Sequence, residues 1–170
     1  MEKIFIKEIG RIKKAREDVE KALKVKMVFG SEGIEITGKD VVSEYTALRV
    51  IEALNQGFNV NSALQLKNED YMFEKVNLKD RIRVSRLKTI KGRIIGEKGR
   101  AKDVMSELTD CDITVKDYIV GIIGKAVDVD VAVHAINELA NGAPHSKVYS
   151  YLEKSRKIRV LKLEEEESLR

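Results

Sequence analysis

The sequence predicts an α+β protein made of two tandem copies of one unit, each a three-stranded sheet with three helices packed on one face. Three observations predict it. First, the chain repeats itself. Shifted by 86 residues, Gly10 falls on Gly96, Ala15 on Ala101, Glu17 on Asp103, Met27 on Ile113, Ile36 on Ile122, and Gly38-Lys39 on Gly124-Lys125. After a one-residue slip, Ile51, Leu54 and Gly57 fall on Ile136, Leu139 and Gly142. Second, each copy passes from helical apolar spacing to β-branched runs and back. Third, 43% hydrophobic residues in 170 are enough for two small cores.

The elements follow in order. In copy one an apolar strand is expected at Lys3 to Ile6, then a helix–loop–helix around Gly10. Ala15, Val19, Ala22 and Leu23 form the apolar face of the second of these helices. Val25 to Phe29, a turn at Gly30-Ser31-Glu32-Gly33, and Ile34 to Thr37 read as a pair of strands. A longer helix follows, with Asp40 as its N-terminal cap, Ala47, Val50, Ile51 and Leu54 as its stripe, and Gly57 as its stop. Copy two has a strand at Tyr71 to Leu78, a basic lead-in, and a short helix faced by Ala101, Val104, Met105 and Leu108. Strands at Asp112 to Lys116 and Tyr118 to Ile123 come next, then a helix capped by Asp128, striped by Ala132, Val133, Ile136 and Leu139, and stopped by Gly142. The expected organisation is a first copy over 1–58, a linker over 59–70, a second copy over 71–143, and a terminal helix with a charged tail over 144–170.

Composition excludes several classes. No run approaches eighteen apolar residues, so no membrane helix is expected, and the N-terminus lacks the apolar core of a signal peptide. A single cysteine, Cys111, precludes an intrachain disulfide framework, and two histidines are too few for a structural zinc site. These features suit a cytoplasmic protein with no cofactor and no metal. No cluster offers a nucleophile, a base and an orienting group, so no catalytic residue is assigned. Asp110-Cys111-Asp112 reads as a strand start with a small buried residue, and His134 as an exposed helix position.

The charge is unevenly placed. From Lys79 to Lys102 stand ten basic residues against only Asp80 and Glu97, a net +8, on a chain whose net charge is +4. Such a field on a mildly acidic body points to a polyanion. Within it lies Gly92-Arg93-Ile94-Ile95-Gly96-Glu97-Lys98-Gly99-Arg100. Two glycines bracketing two polar residues between short helices match the GXXG turn that clamps four nucleotides by their backbone. Glycine permits positive φ and close approach to phosphate, and the following helix presents its N–H groups. Lys91, Arg93, Lys98 and Arg100 supply charge, while Ile94, Ile95, Val104 and Ile113 are expected to wall an apolar groove for bases. Glu97 completes the loop. Gly121-Ile122-Ile123-Gly124 repeats the spacing inside a strand, where it reads as structural. In copy one the matching stretch is Gly10-Arg11-Ile12-Lys13; lysine replaces the second glycine, so this copy is expected to bind RNA weakly or to serve as a scaffold.

These residues carry a resemblance. The unit resembles a type I KH domain, and nearly the whole chain resembles the two-KH ribosome assembly factors of archaea and eukaryotes, the family called partner of the Nob endonuclease. The degenerate first loop, the lead-in Arg86 to Gly96, and Gly142-Ala143-Pro144-His145-Ser146-Lys147-Val148-Tyr149-Ser150-Tyr151-Leu152-Glu153 carry it. Glu97 and Tyr151 depart from that family's usual residues. The resemblance implies a non-catalytic factor binding single-stranded RNA at the 3′ end of small-subunit rRNA, with a maturation endonuclease and a translation initiation factor as partners. Two other readings stay open: a KH subunit of another RNA-processing or translation complex, and a protein-interaction scaffold.

Overall fold

The computed structural model describes residues 6–31 and 33–170, and the chain divides into two units, Met1–Phe73 and Glu74–Arg170. In the first unit, α1 (Ile9–Leu23) leads into an antiparallel hairpin of β1 (Lys26–Gly30) and β2 (Gly33–Thr37), then α2 (Val41–Gln56). The register pairs Met27 with Ile36, so the buried sides of both strands face one way. Ile12, Ala15, Val19 and Leu23 on α1 meet Ala47, Val50, Ile51 and Leu54 on α2. Glu20 ties α1 to β1, accepting from the Met27 N–H at 2.7 Å and from Arg16 Nε at 3.0 Å. The expected strand at Lys3 to Ile6 lies, for residues 3–5, outside the described residues, as does Glu32 of the expected turn.

One expectation for this unit is corrected. No loop interrupts the chain at Gly10-Arg11-Ile12-Lys13, which forms the first turn of a single continuous helix. Lysine at position 13 offers no easy positive φ, and Ile12 is fully buried in the core, which favours an unbroken helical path. The 59–70 stretch is also more than a tether. Asn59 caps α3 (Val60–Leu64) by accepting from the Ser62 N–H at 2.8 Å, and a 3-10 turn (Gln65–Lys67) follows. Phe58, Ala63 and Leu66 are buried as this segment packs on α1 and α2.

In the second unit, β3 (Tyr71–Asn77) opens a three-stranded sheet of order β3-β5-β4, with the boundary between units falling within β3. A 3-10 turn (Leu78–Asp80) leads to α4 (Val84–Ile95), and a glycine loop leads to α5 (Arg100–Thr109). β4 (Asp112–Lys116) and β5 (Ile119–Lys125) form a two-residue hairpin, with Ile113 opposite Ile122. α6 (Ala126–Ala140) and α7 (His145–Ser168) complete the unit. The core gathers Leu87, Ile90 and Ile94 of α4, Met105 of α5, and Val129, Ile136 and Leu139 of α6 against the sheet. α7 seals α5 and α6 through Val148 and Leu152, and its residues 160–168 are exposed.

The two long helices end alike. At Gly57 (φ +109) and Gly142 (φ +99), two N–H groups turn back onto the last helical carbonyls: Gly57 to Leu54 and Phe58 to Ala53, Gly142 to Leu139 and Ala143 to Glu138. Both are Schellman turns. Their starts differ. Asp40 caps α2 as expected, its Oδ1 accepting from the Ser43 N–H, which holds the carboxyl below its usual range. Asp128 does not cap α6. The cap position is Lys125, and Asp128 sits one turn in, paired with Arg159.

The candidate nucleic-acid interface

The site is built from the end of α4, the glycine loop and the start of α5. Gly96 has φ +76 and ψ 175, a conformation essentially reserved to glycine. A Cβ there would lie 2.6 Å from both the Cβ and the N of Ala101, so α5 can approach only because Gly96 has no side chain. Gly99 has φ +79 and ψ 5, with the nearest neighbour of an added Cβ 4.0 Å away. Its role is conformational: it turns the chain into α5 as the N-cap residue. The Gly99 N–H bonds the Gly96 carbonyl at 3.2 Å, and the Arg100 N–H bonds that of Glu97. Between the glycines, Glu97 and Lys98 are exposed, and Lys98 is itself left-handed at φ 52, a state that costs an L-residue about 1–2 kcal/mol. No side chain caps α5, so beyond the Arg100 N–H, which the Glu97 carbonyl takes, its first-turn N–H groups have no side-chain acceptor, as an anion site requires.

The remaining expected residues separate into two sets. Ile94 is wholly buried and Ile113 is 4% exposed. Neither side chain therefore lies open at the surface beside the loop, where both were expected to wall a groove. Ile95 and Val104 are half-buried and keep the apolar surface beside the loop. Lys91 and Arg93 are half-buried and Arg100 is exposed. Of the ten basic residues from 79 to 102, only Lys102 has a carboxylate partner among the described residues, Asp103 at 3.0 Å. The field is therefore largely uncompensated.

Several contacts that matter here escaped the sequence reading. His145 and Arg93 form a reciprocal clasp. Arg93 Nη2 donates to the Ala143 carbonyl at 2.5 Å, and His145 Nε2 donates to the Arg93 carbonyl at 2.8 Å. A carbonyl only accepts, so Nε2 carries the proton. The clasp satisfies one of the orphan carbonyls at the α4 C-terminus and braces the last helical turn before Gly96. Burial pushes the Tyr149 hydroxyl up from its usual range, with the Arg100 charge opposing. Tyr118, at the tip of the β4–β5 hairpin, has the ammonium groups of both Lys79 and Lys91 at 5.5 Å from its ring centroid. The Gly-Ala-Pro-His segment was visible in the sequence, but its hydrogen bonds join residues fifty apart.

The residues set aside as non-catalytic have structural surroundings. Cys111 is 3% exposed, and burial pushes its thiol up to about 12. At neutral pH almost no thiolate exists, so the native protein is expected to resist a thiol-specific alkylating reagent and to react once unfolded, as mass spectrometry would record. Gly124 lies against it: a Cβ at Gly124 would be 2.5 Å from Cys111 Sγ, which gives the second GXXG spacing a packing reason inside β5. His134 is exposed and tilts against Tyr151 at 4.8 Å. Among the described residues no group of three or more His, Cys, Asp or Glu could hold a metal, and no helix is long and apolar enough to cross a membrane.

Residues 72–157 match the family model for the second KH domain of PNO1, described as a eukaryotic type KH-domain (KH-domain type I). A KH domain-containing protein of Methanocaldococcus jannaschii is 31% identical over 154 residues, 87% of this chain and 68% of that protein. The pre-rRNA-processing protein pno1 of Emericella nidulans is 26% identical over 140 residues, 78% of this chain and 54% of its own length. The chain thus spans about half of that fungal relative. Among solved structures, a complex of a/eIF2alpha, aDim2p and rRNA from Pyrococcus horikoshii OT3 matches with TM-score 0.78 and 34% identity, covering 88% of this chain and 86% of that one. A protein of unknown function from Aeropyrum pernix matches with TM-score 0.85 and 30% identity, covering 99% and 94%.

Proposed function

We propose, for a chain that belongs to the PNO1 family of type I KH proteins, that it is a non-catalytic small-subunit assembly factor whose second unit grips single-stranded rRNA at the 3′ end. The observation that carries this reading is the loop itself. Two glycines with φ near +76 and +79 hold Glu97 and Lys98 exposed at the uncapped start of α5, inside an uncompensated basic field. The backbone N–H groups, Lys98 and Arg100 take the phosphates; Ile95 and Val104 face the bases, with Ile94 and Ile113 supporting them from the core. The P. horikoshii relative is found with rRNA and a/eIF2alpha, which supports rRNA and an initiation-factor subunit as partners. A maturation endonuclease is the remaining proposed partner.

The first unit is a second, degenerate KH copy with a scaffold role. Its hairpin and its Schellman-capped α2 match β4, β5 and α6 in order, but its continuous α1 has no phosphate-binding turn.

Fluorescence anisotropy on a labelled oligonucleotide matching the rRNA 3′ end, with a scrambled control, tests the reading. Lys98→Ala and Arg100→Ala are each expected to weaken binding about three- to tenfold and to reduce the salt slope by roughly 0.7, the share of one phosphate on a single strand. Equal binding of both RNAs by native protein and by the pair Glu97→Asp with Lys98→Asp would move the site elsewhere and favour a pure scaffold.

A further inference from the structure

We propose that Tyr118, Lys79 and Lys91 form a second nucleotide subsite, where a base of the bound RNA stacks on the Tyr118 ring and its phosphate lies between the two ammonium groups. The proposal rests on the RNA-binding reading above and extends it beyond the loop. Both lysines stand 5.5 Å from one ring centroid, and neither has a carboxylate partner among the described residues. The nearby Asp80 accepts instead from Asn77 Nδ2 at 3.0 Å. Two like charges gathered about one aromatic ring repel each other, and an anion near both relieves that repulsion.

The ring is held in place. It sits in the two-residue turn between the paired Lys116 and Ile119, with Asp117 left-handed at φ 53. The Tyr118 carbonyl accepts from the Leu78 N–H at 2.9 Å, which ties the turn to the end of β3. Lys91 links this corner to the loop. It precedes Ile95 by four residues and shares its face of α4, about 6 Å along the axis. A strand clamped at Gly96 and running along this face passes Ile95, Lys91 and then Tyr118. Stacking on an aromatic ring tolerates any base, so the subsite adds affinity and length dependence without sequence preference.

The test uses the full chain and two labelled single-stranded RNAs, one of four nucleotides, the span a GXXG loop clamps, and one of about ten. Tyr118→Leu is expected to weaken the longer RNA roughly tenfold and to leave the shorter one unchanged. Lys79→Gln, an exposed position that cannot unfold the core, is expected to lower the salt slope for the longer RNA alone by roughly 0.7. Lys98→Asp serves as the loop control. If both corner variants bind both lengths as the native chain does while Lys98→Asp loses both, the subsite is overturned and the loop reading stands. If Tyr118→Leu weakens the two lengths equally, the ring acts through the fold of the loop and the subsite is overturned. If Lys98→Asp binds normally and the corner variants lose only the longer RNA, the subsite stands and the loop reading fails.

Discussion

Gly96→Ala is expected to destabilise the second unit by about 3 kcal/mol, whereas Gly99→Ala costs only about 1 kcal/mol. The two glycines look equivalent in sequence, but they stand in different surroundings. At Gly96 the backbone conformation is nearly closed to L-residues, which costs on the order of 1–3 kcal/mol by itself. The new Cβ would also sit 2.6 Å from the Ala101 backbone nitrogen, and a backbone atom cannot swing aside as a side chain can. The start of α5 would have to move, at a further cost of about 1–3 kcal/mol. At Gly99 the added methyl meets nothing closer than the Asp103 carboxylate at 4.0 Å, and only the left-handed φ is penalised, by about 1–2 kcal/mol. Urea unfolding followed by circular dichroism measures both. Because Gly96 sets the spacing between α4 and α5, Gly96→Ala is also expected to reduce RNA affinity more than tenfold. Equal destabilisation by the two substitutions would mean that the close approach at Ala101 is not what Gly96 is for.

Arg159→Ala is expected to cost about 2–3 kcal/mol, a large effect for a residue in the stretch that the sequence marks as a terminal helix with a charged tail. Arg159 reaches from α7 to two helix ends at once. Nη2 donates to the Leu108 carbonyl at 2.7 Å and Nη1 to that of Thr109 at 3.1 Å, both at the C-terminus of α5. Nη1 also pairs with Asp128 in the first turn of α6. A cation at a helix C-terminus and an anion at a helix N-terminus are each favoured by the helix dipole, so the pair joins two complementary ends. The side chains are only 16% and 15% exposed, so removing one partner leaves a mostly buried charge. Breaking a buried pair costs about 3–5 kcal/mol, and the residual exposure reduces this. Removing both charges, Arg159→Met with Asp128→Ala, is expected to cost less than the sum of the single changes by about 1–2 kcal/mol. Additivity in thermal unfolding would show that the two side chains do not act as a unit.

Much of the fold was legible in the chain because its signals are local. Apolar spacing of three and four marks α2, α5 and α6, β-branched runs mark both hairpins, and glycines mark the ends of α2 and α6. Asp40 was readable as a cap because the acceptor is within three residues of its donor. Asp128 was misread for the converse reason. Its partner is 31 residues away, and an acidic residue near a helix start looks the same whether it caps or pairs. The helix break expected at Gly10-Arg11-Ile12-Lys13 failed because one glycine permits a turn but does not impose one, and Ile12 gains more by continuing the helix into the core.

By itself, the sequence determined the order of elements, the position of the glycine loop and the sign of the field around it, since all three rest on neighbours along the chain. Only the tertiary structure decided which isoleucines near the loop are buried, with Ile94 and Ile113 in the core and Ile95 half-buried. It alone brought His145 to Arg93, Arg159 to two helix ends, and Lys79 and Lys91 to one ring. The physical reason is common to all of these: burial and long-range hydrogen bonds depend on which faces meet when helices pack on a sheet, and residues fifty apart carry no local sign of meeting.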